Sequence, residues 1–247
     1  LAEKPRSTIQ SIFYGMVEPF MGCILKRYFT KDLHQDLNPE RCYEEGKIII
    51  INFPIKEYML SGIYAQAIFK KLFQECIERR KVKEGDRPAF LWVDEAQFFL
   101  GKGDAKFQTT ARESLACTVF ITQNISNYYM TLGGKYPKET TNSLLALLGT
   151  KILHSNNDYI TNEWAANTIG KTFQLSQSTN ASYFQMSASV SQNDALHYQV
   201  QPEEFTTLAS GGRPNRNIVE GIMTVAGKRW IDGKNYALVA FHQNFTA

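Results

Sequence analysis

Cysteine and histidine are scarce, four of each in 247 residues. Cys23, Cys42, Cys76 and Cys117 form no CxxC pair, and no histidines are spaced as in HExxH. A zinc finger or a disulfide framework is thereby excluded, and the pattern points to a reducing compartment and no metal site. No run approaches the roughly 18–20 apolar residues that cross a bilayer. The opening Leu1-Ala2-Glu3-Lys4-Pro5 is not a signal peptide, and the lack of an initiator Met leads us to expect a fragment. Neither sign of charge is in excess: 27 basic against 24 acidic residues leave +3, a field that neither argues for nor excludes a polyanionic partner. What is present is 43% hydrophobic, enough to bury one sizeable core, so a soluble single domain over 1–247 is expected.

Apolar periodicity orders the chain into alternating elements. Residues 8–29 read as a helix despite Pro19, followed by a polar stretch from Asp32 to Glu45. Lys47-Ile48-Ile49-Ile50-Ile51-Asn52-Phe53-Pro54 is a β-branched run that suits a strand buried on both faces. Ala65, Ile68, Phe69, Leu72, Phe73 and Cys76 then recur at helical spacing between Ile63 and Arg80. A second strand, Ala89 to Val93, completes an order that resembles a βαβ unit and a parallel sheet. Strands at Cys117–Ile121 and Thr150–His154 follow, each after a helix, near 106–115 and 137–148.

Asp158 is placed to cap a helix from Tyr159 to Ile169 that Gly170 stops. The Ser-, Gln- and Asn-rich residues 174–199 fit an exposed hairpin or a mobile loop. A short helix near Pro202–Leu208 and strands near Asn217–Val225 and Asn235–Phe241 close the chain.

Three strand-end features carry chemistry. Phe90-Leu91-Trp92-Val93-Asp94-Glu95 delivers two acids to the end of a buried strand. There Asp94 could hold Mg²⁺ through water and Glu95 could activate a nucleophile. Alternatively, Asp94 caps the following helix and Glu95 complements its dipole. Arg112, eighteen residues after Asp94, could act as an arginine finger toward a neighbouring subunit, or form a surface ion pair. Gln123 ends the next strand and could sense a γ-phosphate, or simply bond loop backbone.

Acid pair, arginine and glutamine in this order resemble a RecA-type motor core. The chain resembles more closely the TraG/TraD group of conjugative coupling proteins of type IV secretion. The resemblance is carried by Ile48–Pro54, Leu91 to Gln97, Ala111-Arg112, Phe120 to Asn124, Asn156-Asn157-Asp158 through Gly170, Gln201 to Phe205 with Leu208, and Arg213-Pro214-Asn215.

It implies an α/β, RecA-like P-loop NTPase core with a mainly parallel sheet flanked by helices and a C-terminal antiparallel hairpin. It also implies ATP and Mg²⁺ as cofactors, with Asp94 and Glu95 as the Walker B acids, Arg112 as the finger and Gln123 as the sensor. The implied parent is a homo-hexameric DNA pump on the cytoplasmic side of the bacterial inner membrane. Its partners would be single-stranded DNA or a relaxase–DNA complex, relaxosome proteins and the secretion channel.

One departure matters: the sequence contains no GxxxxGK[ST] phosphate loop. Gly101-Lys102-Gly103 follows the acid pair, and Gly133-Gly134-Lys135 follows the sensor strand, so neither substitutes. In the family the loop and the membrane helices lie upstream, so the chain alone is expected to be inactive as an ATPase. The alternatives are a non-catalytic recognition module on a RecA-like scaffold, and a chromosomal DNA pump of the FtsK or HerA type.

Lys70, Lys71, Arg79, Arg80, Lys81 and Lys83 read as a solvated helix face, diluted by Glu75, Glu78 and Glu84. Arg213, Arg216, Lys228, Arg229 and Lys234 gather in the terminal hairpin region, with no DNA contact assigned to them.

Overall fold

The structure is a computed structural model and describes residues 3–21, 38–181 and 188–244. The chain folds into two compact units. The first holds the residues up to Thr122 together with Tyr128–Leu147, and the second holds Gln123–Asn127 and everything from Leu148 on. No helix among the described residues is long and apolar enough to cross a membrane.

The first unit contains α1 (Glu3–Met21), α2 (Glu40–Glu44), α3 (Ile55–Arg79), β1 (Ala89–Val93), α4 (Lys102–Thr110), β2 (Ala116–Phe120), the end of α5 (Ile125–Leu132) and α6 (Pro137–Leu147). Residues 22–29 of the expected first helix lie outside the described residues. β1 and β2 pair in parallel, from Ala89 opposite Ala116 to Val93 opposite Phe120. Strand alternation buries Ala89, Leu91 and Val93 and turns Phe90 and Trp92 outward. α3 buries Ala65, Phe73 and Ile77 on one face. It starts eight residues earlier than the apolar period suggests, because Pro54 at the N-cap leads straight into it, with a break at Met59.

Two expectations fail in this unit. The isoleucine run 48–51 belongs to no strand: it is extended but joins no ladder, and Ile48 and Ile50 are 88% and 81% exposed. β-branched composition favours a pleated surface only where a neighbouring strand supplies one. Lys70 does not lie on a solvated face. It is buried, with its ammonium 2.6 and 2.5 Å from the two Asp104 carboxylate oxygens and 2.5 Å from the Phe99 carbonyl. Asp104 also accepts from Gln74 Nε2 and from the Gly101 N–H that opens α4, each at 2.7 Å. Burial pulls the Lys70 pKa down, while the Asp104 carboxylate acts to hold it up.

The second unit contains β3 (Thr150–His154), α7 (Tyr159–Ile169), β4 (Lys171–Ala181), β5 (Ala188–Tyr198), α8 (Glu204–Thr207), β6 (Ile218–Val225) and β7 (Tyr236–His242). β4 and β5 form the hairpin expected within 174–199. β3, expected to extend a parallel sheet, instead pairs antiparallel with β6, which pairs antiparallel with β7. The core gathers Ala165, Ala166 and Ile169 of α7 with Val200, Phe205 and Ile222.

The ends of α7 fall where the sequence places them. Asp158 accepts from the Thr161 N–H at 3.2 Å, Thr161 Oγ1 at 2.6 Å and Ser126 Oγ at 2.8 Å. Gly170 stops the helix at φ 98°, a region that only glycine enters cheaply. Burial acts to raise the Asp158 pKa, but the bonds from Thr161 and Ser126 outweigh it and hold the carboxyl below its ordinary value. Its contribution to stability is therefore fully present above the unfolded value, about 3.9, and is lost as pH falls through the lowered folded value. Asp158→Ala is expected to cost about 1–2 kcal/mol at neutral pH and nothing measurable at strongly acidic pH, as read by urea unfolding across pH. An equal cost at both extremes would remove the charged cap from the account.

Candidate ATPase half-site

β1 and β2 end side by side. Ile121 N–H donates to the Val93 carbonyl at 3.0 Å, and Ala96 N–H donates back to the Ile121 carbonyl at 2.9 Å. The chain thus turns at Asp94-Glu95 directly beside Ile121-Thr122. Glu95 sits at φ 48°, ψ 47°, the left-handed region, which costs a non-glycine residue of order 1–3 kcal/mol. The bonded strand ends and the fully buried Ala96 hold it there.

Neither acid is a helix cap. The short 3₁₀ turn Ala96–Phe98 that follows has no side-chain capping bond. The Asp94 carboxylate is exposed and accepts only from the adjacent Glu95 N–H, at 2.9 Å, among the bonds recorded for it. Glu95 accepts a hydrogen bond from Gln97 Nε2. Gln97 is buried, and its Oε1 accepts from Thr122 Oγ1 at 2.8 Å. Tyr128, whose pKa burial pushes up to about 12, is hydrogen-bonded to the same Thr122. One buried amide therefore links the second acid to the end of β2. Gln97 and Thr122 both stand in the sequence motifs, yet sequence reasoning gives neither a role. The only signal for Gln97 is a polar residue between the apolar Ala96 and Phe98.

Arg112 lies in the turn between α4 and β2, at the start of the parallel ladder. The acid pair lies at its end, so five rungs, roughly 16 Å of strand, separate them. The Arg112 guanidinium is exposed and forms no ion pair or hydrogen bond among the described residues. Gln123 belongs to the second unit, where its carbonyl accepts from Asn156 Nδ2 at 2.6 Å. Of the sequence-selected residues, the fold places Asp94 with Glu95 and sets Arg112 at the far end of the same strands.

A cleft of about 600 Å³ runs along β1 to Asp94, walled by the isoleucine run and by Phe69 and Phe73 of α3. Its walls suit apolar packing, and no glycine loop lines it to cradle phosphate. Among the described residues no cluster of three or more His, Cys, Asp or Glu could hold a metal alone.

Residues 88–209 match the family described as the TraM recognition site of TraD and TraG. The chain belongs to the TraG/TraD-like family. Solved structures agree in fold. The chain is similar to the bacterial conjugative coupling protein TrwBdeltaN70 in its unbound monoclinic form, at 16% identity and a TM-score of 0.57, over 77% of this chain and 39% of that one. It is likewise similar to the plasmid coupling protein TrwB in complex with ADP and Mg²⁺, at 16% identity and a TM-score of 0.53, over 86% of this chain and 39% of that one. This TraG/TraD-like chain thus spans about two-fifths of the length of those structures. No curated protein sequence matches it.

Proposed function

We propose that the chain is the C-terminal part of the RecA-like motor of a conjugative coupling protein, whose parent hydrolyses ATP to deliver DNA or protein to a type IV secretion channel. The observation that carries this reading is the acid pair on adjoining parallel strand ends, with Asp94 exposed and neither carboxylate spent on a helix cap.

The two carboxylates offer the hard oxygen donors that Mg²⁺ takes, and Asp94 would hold that ion through water. Mg²⁺-ATP, when bound, supplies the γ-phosphoryl group and the charge that polarises it. Glu95 would accept the proton of the attacking water, and Gln97 fixes which way that carboxylate points. Gln123 would report the γ-phosphate from the loop after β2, and Arg112 would reach the site of the next subunit in a hexamer. The phosphate cradle would come from another part of the parent. The parent would sit at the cytoplasmic face of the inner membrane.

Single-stranded-DNA-stimulated ATP hydrolysis by the parent-length protein tests this. Glu95→Gln is expected to lower turnover by about 10²-fold or more with ADP affinity retained. Unchanged turnover would sink the assignment.

A second reading, a docking module for relaxosome proteins, is favoured by the family description itself, which names TraM recognition. Binding of a relaxosome protein to the 247-residue chain, undiminished by Glu95→Gln, would support that role beside the motor.

A further inference from the structure

The turn between β6 and β7 closes over a cavity of about 390 Å³ lined by Gly149, Lys151, Thr168, Lys228, Arg229 and Asn235 among others. We propose that this cavity is a binding site for single-stranded nucleic acid, taking a backbone phosphate among Lys151, Lys228 and Arg229. Three cations line it, and none of its lining residues is acidic. The one nearby carboxylate in the turn, Asp232, is engaged by Lys234 at 3.6 Å and does not neutralise the cluster.

Each cation has donors to spare. Lys151 gives one hydrogen bond, to the Leu148 carbonyl at 2.7 Å, and an ammonium has three hydrogens. Arg229 is exposed and has no hydrogen bond or ion pair among the described residues. The Lys228 ammonium lies 4.0 Å from the Trp230 ring centre, a contact that holds the charge in place without consuming its hydrogens. Burial of Lys151 draws its pKa down, so the protein itself does not offset that charge, and an anion would.

Two features favour a nucleotide chain over a bare anion or an acidic peptide. Asn235 Nδ2 is spent on the Ile169 carbonyl at 2.7 Å, while its Oδ1 is buried without a partner and can accept from a base amine or a sugar hydroxyl. At the tip, Ile231 is fully exposed, an apolar surface on which a base can rest. A peptide adding as a strand would need free backbone rungs. Here Ala226 N–H is bonded to the Gly149 carbonyl and Trp230 N–H to the Lys234 carbonyl, both at 2.8 Å.

The structure also divides the basic set read from the sequence. Arg213 and Arg216 precede β6, whereas Lys228 and Arg229 follow it, so the eight residues of β6 separate the two groups. The first pair is an internal control.

The anion preference stands on the cavity alone, and only the choice of nucleic acid rests on the coupling-protein reading. Fluorescence anisotropy of labelled oligothymidylate with the 247-residue chain, at several salt concentrations, tests both. The pair Lys228→Glu with Arg229→Glu is expected to weaken binding about tenfold or more. It should also make the log–log salt dependence shallower by about 1.4, at about 0.7 per single-strand phosphate contact. Lys151→Gln should weaken binding less, and Arg213→Glu with Arg216→Glu should leave it unchanged.

Unlabelled oligothymidylate should displace the probe at concentrations where polyglutamate and inorganic phosphate do not. Displacement by polyglutamate at equal charge would make this a peptide site and overturn the proposal, as would displacement by phosphate alone. No binding by the wild-type chain, or equal binding by the Lys228 and Arg229 pair with an unchanged melting curve, also overturns it. Either result leaves the motor reading to the Glu95→Gln turnover.

Discussion

Arg112→Ala in the parent-length protein is expected to lower DNA-stimulated ATP hydrolysis by about 10³- to 10⁵-fold, the range that an arginine finger supplies. Fold stability should change by less than about 0.5 kcal/mol, because the exposed guanidinium has no partner among the described residues to lose. The ladder geometry sharpens the expectation. With five rungs between Arg112 and the acid pair, one subunit cannot serve its own acids across that distance, so the arginine acts on a neighbour.

An equimolar mixture of Arg112→Ala and Glu95→Gln subunits therefore contains interfaces where an intact acid pair meets an intact arginine. Random assembly should restore roughly a quarter of wild-type turnover. A mixture as inert as its components, under conditions where wild-type subunits exchange, would show that the arginine does not act across an interface. An active Arg112→Ala protein would remove it from the site.

Asp104→Leu is expected to destabilise the chain by about 3–5 kcal/mol. The Asp104 carboxylate accepts from Lys70, Gln74 and the Gly101 N–H at the start of α4, and it is itself buried. Its loss strands a buried ammonium and a buried amide together, and a buried donor without a partner costs its full desolvation. Lys70→Met combined with Asp104→Leu removes both charges and should recover most of the loss, since a buried ion pair is often replaceable by apolar groups of similar volume. Urea unfolding monitored by tryptophan fluorescence reads both changes. If the double variant is no more stable than the single one, the cost lies in the α4 cap rather than in the stranded lysine.

The same pair marks where sequence reading stops. Lys70 shares its helix with Lys71, Glu75 and Arg79, which form exposed i, i+4 ion pairs, so period and charge place it among them. Only the fold brings up Asp104, thirty-four residues away. By contrast, β1, β3 and α7 agree with their sequence readings residue for residue, because short apolar runs bounded by turn residues and a capped helix are local signals. That β3 pairs antiparallel with β6 is not local, since its partner begins more than sixty residues later.

α5 is missing from the sequence expectations, although Asn124 accepts from the Asn127 N–H at 2.8 Å to start it and Ile125, Tyr128, Tyr129 and Leu132 keep helical spacing. For the half-site, Asp94 and Glu95 are legible as residues at a strand end. The Gln97 bridge to Thr122 is not, because it joins two strand ends whose pairing the sequence leaves open.

The isoleucine run has a practical corollary at the bench. Extended, apolar and outside any ladder among the described residues, it offers a second copy an edge on which to add a strand. With a net charge of only +3, weak repulsion between copies does little to prevent that. Solubility of the isolated chain is then governed by protein concentration at this one segment. A lysine or glutamate in place of Ile48 or Ile50, both facing water, is the economical way to keep copies apart without touching the core.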